Sequence, residues 1–420
     1  MYYFAFWFLS WLILGSEEIR LGRTALIGVT LAGLSLVKVH AIFLLPGVCA
    51  AIVARYLITG QHRKIATVIT MLVGTVAAAA LVRLAAGYLF AGQAGLHVLG
   101  QKYGDVASSY IQMGSGMSLV KGLLFAVEGH VTALALLFGM PLASLMACSR
   151  TGNNADAARS LYVLRIYTLA VIIFLLLVTA YYTVLVAPQA HESLGRLHFR
   201  YYNFALPLLL IVCAGEWSAP SQLGDLRRRL VAGLIIGTLA VFAALNIRTR
   251  GVQNIVDSPE LWVLFASRAA LYAIACVNLA ALGIWVWNRR RGAGLFLFVA
   301  VPFTIIVSMW FIAPEIRGRL HSDTYEQAAQ AARQIVGVRE IANLAVVGSD
   351  EVDLYRALYQ IDSPKTTMVL LPERAALHAE GVPANDTWLL VIGDHAVPQE
   401  FERQFSRDSY SLFKKASREQ

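Results

Sequence analysis

Charge is what this chain has least of. Asp, Glu, Lys and Arg supply 15% of its 420 residues, where soluble domains carry about a quarter. That shortage excludes one large water-facing core. Cysteine is sparse too: Cys49, Cys148, Cys213 and Cys276 lie singly inside apolar runs. No two have metal-ligand spacing, and a lone cysteine in such a run behaves as a small hydrophobe. HExxH, CxxC, GxSxG and Walker patterns are missing, so zinc-protease, redox, serine-hydrolase and P-loop chemistry lack motif support. The opening MYYFAFWFLSWLILG has no basic n-region and no small-residue cleavage site. It reads as a membrane helix and not as a signal peptide.

What is present is apolar. Hydrophobic residues make up 58% of the chain and the mean hydropathy is +0.61. A helix needs about 20 mostly apolar residues to span a bilayer. The runs at 1–15, 22–37, 41–59, 66–88, 119–147, 161–186, 201–217, 230–247, 261–288 and 293–313 are the candidates. The expected fold class is an all-α polytopic membrane bundle of about ten transmembrane helices, followed by a small α/β domain. The expected boundary gives 1–315 to the membrane and 316–420 to that domain.

The net charge of +9 does not call for nucleic acid, because the excess lies in short connections. Arg20 and Arg23, Arg63 and Lys64, Arg150 and Arg159, Arg227–Arg229 and Arg289–Arg291 fall on alternate connections. The positive-inside rule puts all five in the cytoplasm. Lys38–His40, 89–118, 187–200, 248–260 and the C-terminal domain are then extracytoplasmic: periplasmic, if the membrane is a bacterial inner membrane. Met1 falls outside as well, so either helices precede it in a longer protein or the chain starts outside.

Beyond about His321 the pattern changes. EQAAQAARQIVGV (326–338) reads as an amphipathic helix, and NLAVVGS, TMVLL and WLLVIG as buried strands. Segments 351–359 and 400–405 read as helices, giving an α/β domain of about 100 residues. The turn in VVGSDEVDLY is a strand-to-helix crossover without GxGxxG, and no nucleotide site is assigned to it.

Polar chemistry is densest in HESLGRLHFRYYNFALP (191–207), at the mouth of the run FALPLLLIVCAG. Ionisable groups at membrane depth are costly and usually face a cavity, a partner or an interface. Lys38, His40, Arg83, Arg196, His198, Arg200, Tyr201 and Arg268 all fall on the outer side, where basic residues are disfavoured. An anionic ligand gripped by guanidinium forks would offset them. Other readings exist for each. Lys38 snorkels to headgroups; Arg83 and Arg268 pair with Glu128, Asp105 or Glu260; the 196–202 cluster is an aromatic interface belt. If helical, 196–200 puts both arginines on one face. Glu128 with His130, and His191 with Glu192, are acid/base candidates without a third orienting group. The loop around GQKYGDVASSYIQMGSG, with His97, Lys102, Tyr103 and Asp105, has the composition of a lid. No catalytic residue and no cofactor is assigned; a divalent metal stays open.

Two stretches resemble a known family. LAGLSLVKVHAIFLLPGV (31–48) is similar to the "GLA-x-L-x-K…P" helix pair of the integral membrane glycosyltransferases of the C superfamily. GRLHFRYYNFALPLLLI (195–211) resembles their "RY…P…P" helix start. The superfamily includes dolichyl-phosphate-mannose protein mannosyltransferases and bacterial lipid A aminoarabinose transferases. The resemblance implies transfer of a sugar from a polyprenyl-phosphate carrier to a glycan, lipid or protein acceptor outside the cytoplasm. It implies that Lys38, Arg196 and Arg200 contact the carrier phosphate, with His40, His198 and Tyr201 nearby. The family's catalytic carboxylate lies in a first outer loop that this sequence does not contain. The expectation is therefore a transferase lacking its base as it stands. A non-catalytic subunit, transporter or flippase of lipid-linked saccharides is the second reading, and an O-antigen polymerase or ligase the third.

Overall fold

The computed structural model describes residues 1–15, 20–58, 65–97, 116–147, 155–187, 193–218, 226–252, 258–318, 320, 322–383, 385–407 and 409–416. Arg63, Lys64, Lys102, Tyr103, Asp105, Cys148, Arg150, His191 and Glu192 lie outside them. The chain divides into two units, Met1–Ile312 and Ala313–Gln420.

The first unit is helical. Helices α1 (Tyr2–Leu14) and α2 (Leu21–Val37) are followed by a 3-10 turn (Val39–Leu44) leading into α3 (Leu45–Ile58). Then come α4 (Ile65–Ala91), α5 (Gly116–Met146), α6 (Ala155–Val186), α7 (Leu206–Ser218) and α8 (Leu226–Arg250). Two short helices follow, α9 (Trp262–Ala266) and α11 (Arg289–Leu295), on either side of α10 (Arg268–Trp287); α12 is Val301–Gly318. Among the described residues, seven helical stretches are long and apolar enough to cross a membrane. They are Val39–Leu57, Ile65–Leu96, Ser118–Met146, Ser160–Val186, Leu226–Arg250, Arg268–Trp287 and Arg289–Gly318. Shorter apolar helices are Tyr2–Leu14, Leu21–Val37 and Leu206–Ser218. The expected span 261–288 is broken at Ser267, whose side chain caps α10 by accepting from Ala270 N (3.2 Å).

The outward faces of these helices are greasy. Ile69, Val73, Leu81 and Leu89 of α4 are exposed while its Thr75 and Arg83 are buried. Water would not tolerate that arrangement, and lipid favours it. Small residues let the helices close up: a Cβ on Gly28 would sit 2.4 Å from Thr75 O, so α2 and α4 meet at backbone contact. Pro141 interrupts α5, which leaves helical geometry at Phe138 (φ −126°). The last carbonyls of α1 are satisfied by arginines. Arg23 Nε donates to Leu12 O (2.6 Å), and the Arg55 guanidinium to Ile13 O and Leu14 O.

A buried ionic knot joins four helices. Glu216 of α7 is 1% exposed; it accepts from Arg165 of α6, from Arg289 Nε of α11 (2.6 Å) and from Ser144 Oγ of α5 (2.9 Å). A carboxylate is tolerated there because every partner is charged or hydrogen-bonded.

The second unit is a sheet with two helices. Helix α13 (Thr324–Glu340) precedes β1 (Leu344–Gly348); α14 (Glu351–Ile361) follows it, then β2 (Thr367–Leu370), β3 (Trp388–Ile392), β4 (Phe401–Arg407) and β5 (Tyr410–Lys415). Strand order is β2-β1-β3-β5-β4, with β1 parallel to β2 and β3, and β5 antiparallel to β3 and β4. Every residue of β1 and β3 is buried, which explains their unbroken apolar runs. Val346, Leu390 and Leu412 pack with α13 and α14, while Val347, Leu389 and Phe413 fill the other face. Asp350 caps α14, accepting from Val352 N (2.8 Å) and Asp353 N (3.0 Å).

Segment 400–405 is not a helix; it is the start of β4. Phe401 and Phe405, four apart, mimic one helical face. A register shift between Arg403 and Phe405 sends them to opposite cores instead.

Candidate functional site

The site is built on the irregular strap before α7. Phe199, Tyr202 and Phe204 are fully buried and anchor it in the bundle. A 3-10 turn at Phe199–Tyr201 then leaves Arg200 exposed and Tyr201 half-buried. The strap is also pinned from outside. Val252 N donates to Gly195 O (2.8 Å), and Arg196 pairs with Val252 in an isolated bridge. Ser258 Oγ accepts from Phe199 N (3.0 Å) and donates to Leu197 O. The Asn203 amide, with its nitrogen facing the acid, donates to Glu260 Oε1 (3.1 Å). Burial holds Glu260 above the usual carboxylate range.

Beside the strap is a cavity of about 490 Å³. Lys38 and His40 come from the turn between α2 and α3, Arg200 and Tyr201 from the strap, and Tyr181 and Tyr182 from α6. Apolar walls are supplied by Val37, Val39 and Phe43 on one side and Leu175, Val178 and Leu185 on the other. Among the described residues lining it there are two cations, one histidine and no carboxylate.

The rings form a connected set. His40 meets Tyr201 edge-on with centroids 5.0 Å apart, Tyr201 meets Tyr182 at 5.5 Å, and Tyr182 meets His198 at 5.3 Å. The Arg200 guanidinium lies 5.3 Å from the Tyr201 ring centre, and Lys38 Nζ 5.1 Å from that of Tyr2. The Tyr2 hydroxyl is 3.4 Å from His40 Nε2, so α1 braces the turn from behind. Burial, and after it the field of Arg200, holds Lys38 below the ordinary lysine range.

Four of the eight expected residues therefore share one cavity: Lys38, His40, Arg200 and Tyr201. The other four do not line it. His198 is buried against Tyr182 and Tyr201. Arg196 and Arg200 do not share a helical face, because Arg196 is drawn into the bridge with Val252 before the turn begins. Arg83 is buried and donates to Gly95 O (2.8 Å) and His97 O (3.4 Å), closing the turn after α4 onto these carbonyls. Arg268 is exposed at the first turn of α10.

Glu128 and His130 are drawn apart. Glu128 is ion-paired with Arg250 of α8, while His130 is fully buried against the Phe199 and Tyr202 rings. No cluster of three or more His, Cys, Asp or Glu suited to a metal occurs among the described residues. Tyr182 and Tyr2 were not singled out from sequence, although a Tyr-Tyr pair near the end of a span was a usable signal. Ser258 carried none.

No family model, no curated protein and no solved structure matches this chain. Fold and site together define a class: a polytopic helical membrane protein with a basic, tyrosine-lined cavity and a C-terminal α/β domain.

Proposed function

We propose that the cavity binds the phosphate of a polyprenyl-phosphate-linked sugar, and that the chain is a membrane glycosyltransferase of the C-superfamily type. One observation carries this reading. Lys38 and Arg200, from opposite halves of the bundle sequence, line one cavity with tyrosines and apolar walls and with no carboxylate among the described lining residues. Guanidinium and ammonium groups fit phosphate oxygens, tyrosines offer ring surface and hydroxyls to a sugar, and Phe43, Leu175 and Val178 suit an isoprenoid chain. In this reading the three shorter apolar helices also cross, giving ten spans. The C-terminal domain is then extracytoplasmic in a bacterial inner membrane. Sugar transfer would proceed by displacement at the anomeric carbon. The cations would stabilise the departing phosphate, and a base outside the residues described here would take the acceptor's proton.

A second reading needs only the cations, tyrosines and apolar walls of the cavity: a transporter or accessory subunit that binds lipid-linked saccharide without transferring it. The discriminating experiment is binding and turnover measured side by side on the purified full chain. Binding of an isoprenyl-phosphate-linked sugar with transfer of the sugar to an acceptor and release of the isoprenyl phosphate supports the transferase; binding alone supports the carrier; no binding overturns both.

A further inference from the structure

We propose that the end of the bundle away from the strap holds an anionic phospholipid, its headgroup phosphate on Arg227 and Arg228 and its acyl chains along α8. The inference is independent of the cavity beside the strap. A groove of about 320 Å³ lies at that end, lined by Met146 from the end of α5 and by Arg227, Arg228, Val231 and Ala232 from the start of α8. Both arginines are exposed, and none of the ion pairs among the described residues of the bundle uses them.

The charge around the groove is mostly of one sign. Segment 219–229 carries three arginines against Asp225, which lies outside the described residues, and 288–295 carries three arginines and no acid. Contacts bring the two segments together. The Arg229 guanidinium donates to Trp285 O (3.4 Å) at the end of α10, and Arg290 lies 6.0 Å from the Trp217 ring centre at the end of α7. Glu216, the carboxylate described at these helix ends, is already held by Arg165 and Arg289. An anion lowers the repulsion among the remaining cations, and guanidinium forks fit phosphate oxygens.

What continues from the groove identifies the occupant as a lipid and not a soluble anion. Val231, Leu234, Ile235, Val241 and Leu245 are exposed and, at about 3.6 residues per turn, fall in one stripe below Arg227. The stretch Leu226–Arg250 is apolar enough to cross a membrane, so the stripe faces acyl chains. Met146 and Val231 bring apolar surface to the guanidinium groups themselves. A headgroup phosphate at the arginines and chains along the stripe satisfy both at once, and an anionic leaflet attracts basic side chains at its surface.

The test uses the full chain in phosphatidylcholine nanodiscs doped with one of two photo-probes, phosphatidylglycerol or phosphatidylcholine carrying the same acyl-chain diazirine. Labelled positions are mapped by mass spectrometry. The phosphatidylglycerol probe is expected to label Met146 and the 231–235 turn of α8 at least about fivefold more than the phosphatidylcholine probe, the scale of one basic side chain at an anionic surface. Arg227→Gln combined with Arg228→Gln should bring it down to the phosphatidylcholine level. Arg290→Gln combined with Arg291→Gln, the same charge change outside the groove, should keep most of the difference. Millimolar inorganic phosphate at constant ionic strength should not compete. Equal labelling by the two lipids would overturn the site and leave an ordinary lipid-facing helix. Competition by inorganic phosphate would overturn the lipid assignment in favour of a soluble anion. Equal loss in both double variants would mean diffuse attraction to a basic end and overturn the groove. If the Arg227 and Arg228 variant does not fold, the wild-type ratio of the two lipids and the mapped positions still decide.

Discussion

His40 and Tyr201 meet edge to face across the cavity, ring centroids 5.0 Å apart and planes at 83°. That contact ties the α2–α3 turn to the strap and sets Lys38 and Arg200 against one space. Aromatic pairs of this geometry contribute about 0.5–1.5 kcal/mol beyond burial. Tyr201→Leu should lower stability by about that amount, read as a drop in the thermal midpoint of the detergent-solubilised chain. Tyr201→Phe should be nearly neutral. Equal loss in both would assign the effect to the hydroxyl and not to the ring contact.

Arg200→Ala should weaken isoprenyl-phosphate binding by about 1.5–3 kcal/mol, the range for a hydrogen bond to a charged group. Arg83→Ala should leave binding unchanged and instead destabilise the turn after α4, because its guanidinium is spent on Gly95 O and His97 O. Equilibrium binding on folded variants distinguishes the two. A ligand effect at Arg83 equal to that at Arg200 would enlarge the site to include α4.

Ser258→Ala removes the hydroxyl bonds to Leu197 O and Phe199 N and leaves them only their bond to each other (3.0 Å), at about 0.5–1.5 kcal/mol per bond lost. Hydrogen exchange should show faster opening of the strap with α3 and α4 unchanged. Uniform acceleration across the bundle would mean that the strap is not an independent unit.

Long apolar runs were legible in the sequence because a bilayer demands them: among the described residues seven helical stretches are long and apolar enough to cross, and three of the ten expected runs contain only the shorter apolar helices Tyr2–Leu14, Leu21–Val37 and Leu206–Ser218. The strap was not. Its path is set by Ser258 and Val252, distant residues that carry no local signal. Its arginine spacing therefore suggested a helix that does not form. The Glu216 knot was invisible for a similar reason: one acid near the end of a span looks like a headgroup contact until Arg165 and Arg289 arrive from other helices. In the α/β unit, β1 and β3 were plain from their buried runs, whereas β4 was misread because a bulge breaks the period. Within the site, residue types were readable, and which of them converge was not.

Glu216→Ala should be among the most damaging single changes. It leaves Arg165 buried beside a vacated partner, and breaking such a pair costs about 3–5 kcal/mol. Loss of folded yield together with a lowered thermal midpoint is the expected result. A midpoint within one degree or so of wild type would show the knot to be hydrated and weak.

The α/β unit should lose stability in acid. Glu340 is held below its ordinary carboxylate range, first by the Trp388 Nε1–H that donates to it (2.6 Å) and then by Lys414. A depressed folded value means the stabilisation is present above the usual range, near pH 4.5, and is lost as pH falls through the folded value below it. Glu340→Gln should remove that acid dependence. Near-ultraviolet circular dichroism of wild type and variant between pH 6 and pH 3 reads it, and identical acid transitions would exclude Glu340 as a contributor.

The most direct measurement is photo-crosslinking of the full chain in native membranes with a diazirine-bearing isoprenyl phosphate. The account predicts label on the α2–α3 turn, the C-terminal half of α6 and the strap, around Phe43, Leu175 and Tyr201, and its loss when excess unlabelled isoprenyl phosphate is added. Label confined to the lipid-facing side of α4, unchanged by the competitor, would contradict it.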